Sequence, residues 1–159
     1  MHVLLIVDKF PPEIGAASHQ YFDLGEALVR RGHKVSVLTT IPRYNVPDAL
    51  LAELLKKECY IENQAGMRVI RVKLAPVDKS NLIRRGLEHF ELAWKLAKAS
   101  SLLDTPPDSA LVYSPPLPLG LTAIEIRRRF GTPFVFNVQD LFPEEAIHMG
   151  LIKNHLVIR

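Results

Sequence analysis

Val3-Leu4-Leu5-Ile6-Val7, the loop Asp8-Lys9-Phe10-Pro11-Pro12-Glu13-Ile14-Gly15, and the stretch from Ala16 to Val35-Ser36-Val37-Leu38-Thr39 decide the fold. Five apolar residues are too few to span a bilayer, and no basic segment precedes them, so they read as a core strand. Tyr21, Leu24, Gly25 and Leu28 recur at three- and four-residue spacing, which predicts a helix with these four on its buried face. Arg30 and Arg31 suit a helix C-terminus, and Gly32 can take the left-handed cap that ends it. A second apolar strand, Val35 to Leu38, follows almost at once. Strand, loop, helix and strand form one βαβ unit, the first part of a doubly wound α/β sheet, mainly parallel, with helices on both faces.

The remaining composition agrees. A chain of 159 residues, 48% apolar and 23% charged, can bury one real core as a single domain. A net charge of +3 admits an anionic ligand or a membrane surface without calling for nucleic acid. The single cysteine, Cys59, rules out an internal disulfide and suits a reducing compartment.

Further along, Pro42 and Pro47 interrupt regular structure, and Asp48 can cap a short helix through Leu55. Its leucines, Leu50, Leu51, Leu54 and Leu55, would either pack on the domain or touch lipid. Gly66 marks a turn, and Arg68 to Val72 reads as an alternating strand with Val69 and Val72 inward. From Leu82 a long helix is expected, with Ile83, Leu87, Phe90, Trp94 and Ala97 as its buried stripe and Arg84–Glu88 and Glu91–Lys95 as helix pairs. Ala110 to Tyr113 is a strand. A helix from Leu119 to Arg129 follows, ended by Gly131, and Phe134 to Val138 is the next strand. A short helix to about Gly150 comes after it, and the apolar run before Arg159 suggests a domain cut short.

Three loops leave strand ends that should share one edge: Asp8 to Gly15, Ser114 to Leu119, and Gln139 to Glu144. In such sheets ligands bind outside the carboxyl ends of the strands, where helix N-termini also point. Several chemistries are excluded. The first loop has Gly15 but no G-x-G-x-x-G, and no G-x-x-x-x-G-K-[ST] or G-x-S-x-G occurs. The six histidines show no H-x-x-x-H spacing, so no metal is expected.

Phe10-Pro11-Pro12-Glu13-Ile14-Gly15-Ala16, Arg31-Gly32-His33-Lys34-Val35, Gly66-Met67-Arg68-Val69-Ile70, Ser114-Pro115-Pro116-Leu117-Pro118 and Val138-Gln139-Asp140-Leu141-Phe142-Pro143-Glu144 stand in an order that resembles the N-terminal domain of family 4 glycosyltransferases with the GT-B fold. The similarity is greatest to the bacterial branch that builds capsule, colanic acid or O-antigen, fucosamine-transferase-like members included. The resemblance implies an acceptor-side Rossmann-like domain over residues 1–159, incomplete at its C-terminal end, with the nucleotide-sugar domain absent. It implies retaining transfer from a nucleotide-sugar, UDP-linked, to a lipid-linked or glycan acceptor. The setting would be the cytoplasm, with peripheral contact at the inner face of the membrane, and neither cofactor nor nucleic acid would be involved. Residues 1–159 alone would be inactive. A non-catalytic anchoring subunit that pairs with a separate nucleotide-binding chain is the alternative.

Carried onto this sequence, the resemblance places Gly15 and Ala16 near the donor phosphates and acceptor, with Ala16 where relatives often have a second glycine. Gln139 stands where many members have histidine; it can hydrogen-bond hydroxyls but cannot act as a titrating base. Asp140 is the catalytic candidate, able to accept from an acceptor hydroxyl or to cap the next helix. His19, Ser114 and Glu144 complete the candidate substrate-binding set, Glu144 also suiting a helix dipole and His19 a plain surface position.

Overall fold

The computed structural model describes residues 1–43, 46–75 and 82–140. In chain order they form β1 (His2–Ile6), α1 (Ala16–Arg30), β2 (Lys34–Thr40), α2 (Asp48–Leu54), β3 (Cys59–Gln64), β4 (Met67–Val72), α3 (Leu82–Ala99), β5 (Ser109–Ser114), α4 (Leu119–Phe130) and β6 (Phe134–Val138). The six strands make one sheet in the order β3-β4-β2-β1-β5-β6. All neighbours are parallel except the β3–β4 hairpin, whose turn uses Ala65 and Gly66 at positive φ. This is the α/β Rossmann-like, doubly wound sheet that the first 39 residues predict.

β1 is buried on both faces, which is why it reads as a continuous apolar run rather than an alternating one. Leu4 and Ile6 of β1 join Leu38, Ile70, Leu96, Leu119 and Ile126 in a core under α3 and α4. Leu5 and Val7 face the other way, joining Tyr21, Val35, Val37 and Val69 under α1. α1 lies close to the sheet at Gly25, where an added Cβ would stand 2.3 Å from the sulfur of buried Met67. Gly32 and Gly131 take the left-handed conformation just past α1 and α4, as their places after terminal arginines predict.

Four expectations need correction. Leu24 is 37% exposed and lies outside the buried face of α1, which is made by Ser18, Tyr21 and Gly25. The expected stripe of α3 points outward: Leu87, Phe90 and Trp94 are each more than half exposed, and Leu92, Ala93, Leu96 and Ala99 are buried instead. β3 is an additional edge strand. In β4 inward residues do not alternate with solvent-facing ones, because Arg71 is fully buried along with Val69, Ile70 and Val72. In α2, Leu54 is buried and Leu51 and Leu55 are half-buried, which favours packing over lipid contact. Glu91 pairs with Lys95 at 2.8 Å as expected, and Glu88 accepts from Arg43, while the side chain of Arg84 lies outside the described residues. The short helix expected before Gly150 and the apolar run before Arg159 lie outside the described residues.

Candidate functional site

Strand order changes direction between β1 and β5: from β1 the chain runs outward to β2, and β5 returns on the opposite side. Parallel pairing sets Ile6 level with Val112 and Ser114 level with Val138. The loops after β1, β5 and β6 therefore leave the same edge side by side, at the place where open α/β sheets hold ligands.

The first loop is fixed from below. Phe10 is fully buried and packs against Phe22, ring centroids 5.8 Å apart. The hydroxyl of Thr40 donates to the carbonyl of Asp8 at 2.6 Å, and Ser18 Oγ donates to the carbonyl of Glu13 at 2.6 Å. Arg71 reaches up from β4. Its guanidinium donates to the Pro11 carbonyl, to the Thr40 carbonyl at 3.1 Å and to Glu62 at 2.6 Å. At the surface of this loop stand exposed Pro12 and Ile14, the latter 61% exposed, then half-buried Gly15 and exposed Ala16. Gly15 caps α1 with extended backbone, and nothing lies within 4 Å of where a Cβ would sit. Its carbonyl accepts from the His19 amide at 3.1 Å, and the His19 side chain is exposed one turn along α1.

The second and third loops are joined at their roots. The amide of Gln139 donates to the Ser114 carbonyl at 2.9 Å, and Gln139 Nε2 donates to Asn137 Oδ1 at 2.7 Å. Ser114 is buried, whereas Gln139 and Asp140 are exposed. Burial raises the pKa of the Tyr113 hydroxyl, and the charges of Asp140 and Asp8 add to that shift. Its ring is edge-on to Tyr21, centroids 5.5 Å apart. Glu144 lies outside the described residues.

Two carboxylates not among the sequence candidates sit in the first loop. Glu13 is buried; Oε2 accepts from the Arg43 amide at 3.3 Å, and Oε1 has no hydrogen-bond partner among the described residues. Burial raises its carboxyl above the usual range, opposed by the Arg43 amide and the Lys9 charge. Burial raises Asp8 as well, with Lys9 pulling the other way. Neither acid belongs to a spaced motif, and only the proline-rich loop around them marks the position. Among the described residues no group of three or more His, Cys, Asp or Glu side chains could hold a metal, and no helix is long and apolar enough to cross a membrane.

A sequence model of the glycosyl transferase 4-like domain matches residues 15–156. No curated protein sequence matches the chain. Among solved structures, a trehalose-6-phosphate protein from E. coli bound with UDP-2-fluoro glucose is similar over 90% of this chain and 34% of its own, with 11% identity and a TM-score of 0.59. The calicheamicin glycosyltransferase CalG4 is similar over 97% of this chain and 38% of its own, at 18% identity and a TM-score of 0.57. The catalytic domain of starch synthase IV from Arabidopsis thaliana, bound to ADP and acarbose, is similar over 87% and 34%, at 16% identity and a TM-score of 0.57. These likenesses show the fold, and the chain spans little more than a third of each of these proteins.

Proposed function

The chain belongs to the glycosyl transferase 4-like domain family, and on that premise we propose that it is the acceptor-side, N-terminal half of a GT-B glycosyltransferase. The reaction is transfer of a sugar from a UDP-linked donor to a lipid-linked or glycan acceptor, with retention, in bacterial surface polysaccharide synthesis of the capsule, colanic-acid or O-antigen kind. The enzyme works in the cytoplasm at the inner face of the membrane, and a second domain holds the nucleotide. The observation that carries this reading is the convergence of three loops at the switch in strand order, one of them anchored from beneath by Arg71.

Asp140 and Gln139 meet the acceptor, Asp140 accepting from the hydroxyl that attacks and Gln139 hydrogen-bonding its neighbours. Gly15 and Ala16 let backbone approach the donor phosphates, as side chain is minimal there. His19, exposed on the first turn of α1, lies beside them. Buried Ser114 steadies the third loop through its carbonyl, and Glu144 is the remaining substrate-binding candidate. In a retaining transfer the departing phosphate and incoming hydroxyl share one face of the sugar, so the protein contributes positioning and stabilisation of the leaving charge.

The test is transfer of labelled sugar from UDP-sugars to lipid-extractable or glycan acceptor by the complete enzyme. Asp140→Asn keeps the shape but removes the charge, and turnover should fall about tenfold or more, the scale of a lost charge-assisted contact. A variant that loses stability and keeps its turnover makes Asp140 a helix cap only. Residues 1–159 alone should bind UDP-sugars no more tightly than about millimolar, worth roughly 4 kcal/mol. Micromolar binding to them would place the nucleotide site in this domain instead.

A further inference from the structure

Glu13 and Ile14 stand in exchanged environments at the tip of the first crevice loop. The acid is 2% exposed, and the isoleucine next to it is 61% exposed. The backbone accounts for the inward turn of the acid. The Glu13 amide donates to the Phe10 carbonyl at 3.2 Å, and the Glu13 carbonyl accepts from Ser18 Oγ at 2.6 Å. The side chain meets the loop that leaves β2, where Oε2 accepts from the Arg43 amide at 3.3 Å. Arg43 is held in turn by Glu88 of α3. Glu13 thus joins two loops, and it does so two residues before Gly15, the cap of α1.

These surroundings suit an acid better than its anion. Pro11 and Pro12 bring carbonyl oxygens without N–H groups, so the loop is short of donors and rich in acceptors. One amide contact solvates a buried carboxylate poorly, and Oε1 has no hydrogen-bond partner among the described residues. A protonated carboxyl needs less: one oxygen accepts from the Arg43 amide and the other carries the proton. The charges nearby are divided. Lys9 and Arg43 favour the anion and Asp8 opposes it, with burial the largest influence of all. Arg71, which donates to the Pro11 carbonyl, has Glu62 as its counter-charge.

We propose that Glu13 is a positioning residue for an anionic ligand: as a neutral acid it ties the Gly15 loop to the β2 exit, and a phosphate arriving at Gly15 draws a proton from solvent onto it. A further negative charge near a buried carboxylate is unfavourable, so ligand and proton bind with positive linkage. The ligand half rests on the proposed nucleotide-sugar reading, whereas the neutral tie rests on the loop geometry.

Glu13→Gln decides between acid and anion, because the amide is neutral, keeps an acceptor for Arg43 and has a donor in place of the acid proton. Thermal unfolding of the complete enzyme without ligand is the first measurement. As pH rises from about 5 to 9 the wild type should lose stability relative to Glu13→Gln, since the unfolded chain releases this proton at lower pH than the folded loop does. Calorimetry of UDP binding in two buffers of different ionisation heat then counts protons. The wild type should take up more than Glu13→Gln, a difference in which the titration of UDP itself cancels. Its UDP affinity relative to Glu13→Gln should fall with rising pH by up to about tenfold per unit. In transfer the donor KM, rather than kcat, should carry that loss.

The same differences should persist in an Asp8→Asn background; their disappearance there puts the proton on Asp8 and overturns the proposal. Parallel pH dependence of unfolding in wild type and Glu13→Gln overturns the neutral tie. Weaker UDP binding by Glu13→Gln at every pH does the same, as it marks an ionised contact. Equal proton uptake by the two proteins removes the linkage. If neither protein binds UDP while the unfolding difference remains, the nucleotide reading of the crevice is removed and the tie stands.

Discussion

The guanidinium of Arg71 on β4 donates to the carbonyl oxygen of Pro11 in the first crevice loop, 60 residues earlier in the chain. The same group holds the Thr40 carbonyl at the end of β2 and the Glu62 carboxylate on β3, and its carbon lies 5.9 Å from the Phe10 ring centroid. One fully buried cation thus ties two sheet strands to the loop that carries Gly15. A planar fork with five N–H donors can satisfy such divergent acceptors together; an ammonium cannot.

Arg71→Met should therefore destabilise the protein by about 3–5 kcal/mol, because buried carbonyls lose their donor and Glu62 loses its partner. Arg71→Lys should recover only part of this. Urea unfolding followed by circular dichroism measures both. Wild-type stability in Arg71→Met would mean that the loop is held by Thr40 and Ser18 alone.

Gly25 gives a second, independent handle on the core. Its missing side chain leaves room for Met67 and Leu5, and a methyl group there would stand 3.3 Å from Leu5 Cδ1 as well as against the Met67 sulfur. Gly25→Ala improves helix propensity by up to about 1 kcal/mol, yet overpacking costs about 1–3 kcal/mol, so net destabilisation is expected. The double variant Gly25→Ala/Met67→Ala should be less destabilised than the sum of the single changes. Additive effects would show that the two sites do not touch.

Much of this was readable from the chain because β1 carries an unbroken apolar run, β2 is interrupted within Val35–Leu38 only by buried Ser36, and β5 is apolar from Ala110 to Tyr113. The glycines after terminal arginines likewise fix the ends of α1 and α4 by local geometry. β3 was not readable: it is an edge strand, half exposed, and its polar Glu62, Asn63 and Gln64 carry no apolar alternation. α3 misled for another reason. Two apolar stripes compete on one helix, and periodicity alone cannot say which of them meets the sheet. In the site, Gly15, Gln139 and Asp140 could be located from strand ends, but Glu13 and Arg71 acquire meaning only once the hairpin and the loop are brought together.

His2 should make stability depend on pH. Burial and the Lys34 charge hold its imidazole below the ordinary value of 6.5, opposed by the Asp104 and Asp108 charges. Its ring nitrogens bond the Ser36 and Thr105 hydroxyls at 2.9 and 3.1 Å. The folded state thus binds a proton less readily than the unfolded one. Stability from this group is present above about pH 6.5 and is lost as pH falls through that value toward the lowered folded pKa. Asp8 and Glu13, whose pKa values are raised, act in reverse: their contribution is complete below their ordinary carboxylate range and is lost as pH rises. The wild type should therefore lose stability relative to His2→Gln between pH 7 and pH 5. Parallel unfolding curves for the two proteins across that range would show that His2 does not titrate differently on folding.

Gly15 separates a turn residue from a ligand-contacting one. Its backbone is extended and no atom lies within 4 Å of where a Cβ would sit, so the fold itself makes no demand for glycine there. Gly15→Ala and Gly15→Val should both leave unfolding within about 0.5 kcal/mol of the wild type, as open surface positions do. Function should discriminate where stability does not. If donor phosphate approaches this backbone, a branched side chain occupies the path, and Gly15→Val should abolish transfer while Gly15→Ala retains some of it. Melting curves and transfer rates on the same preparations make the comparison. Wild-type transfer by a folded Gly15→Val enzyme would reduce Gly15 to the residue that starts α1, and the crevice would then have to be read from Gln139 and Asp140 alone.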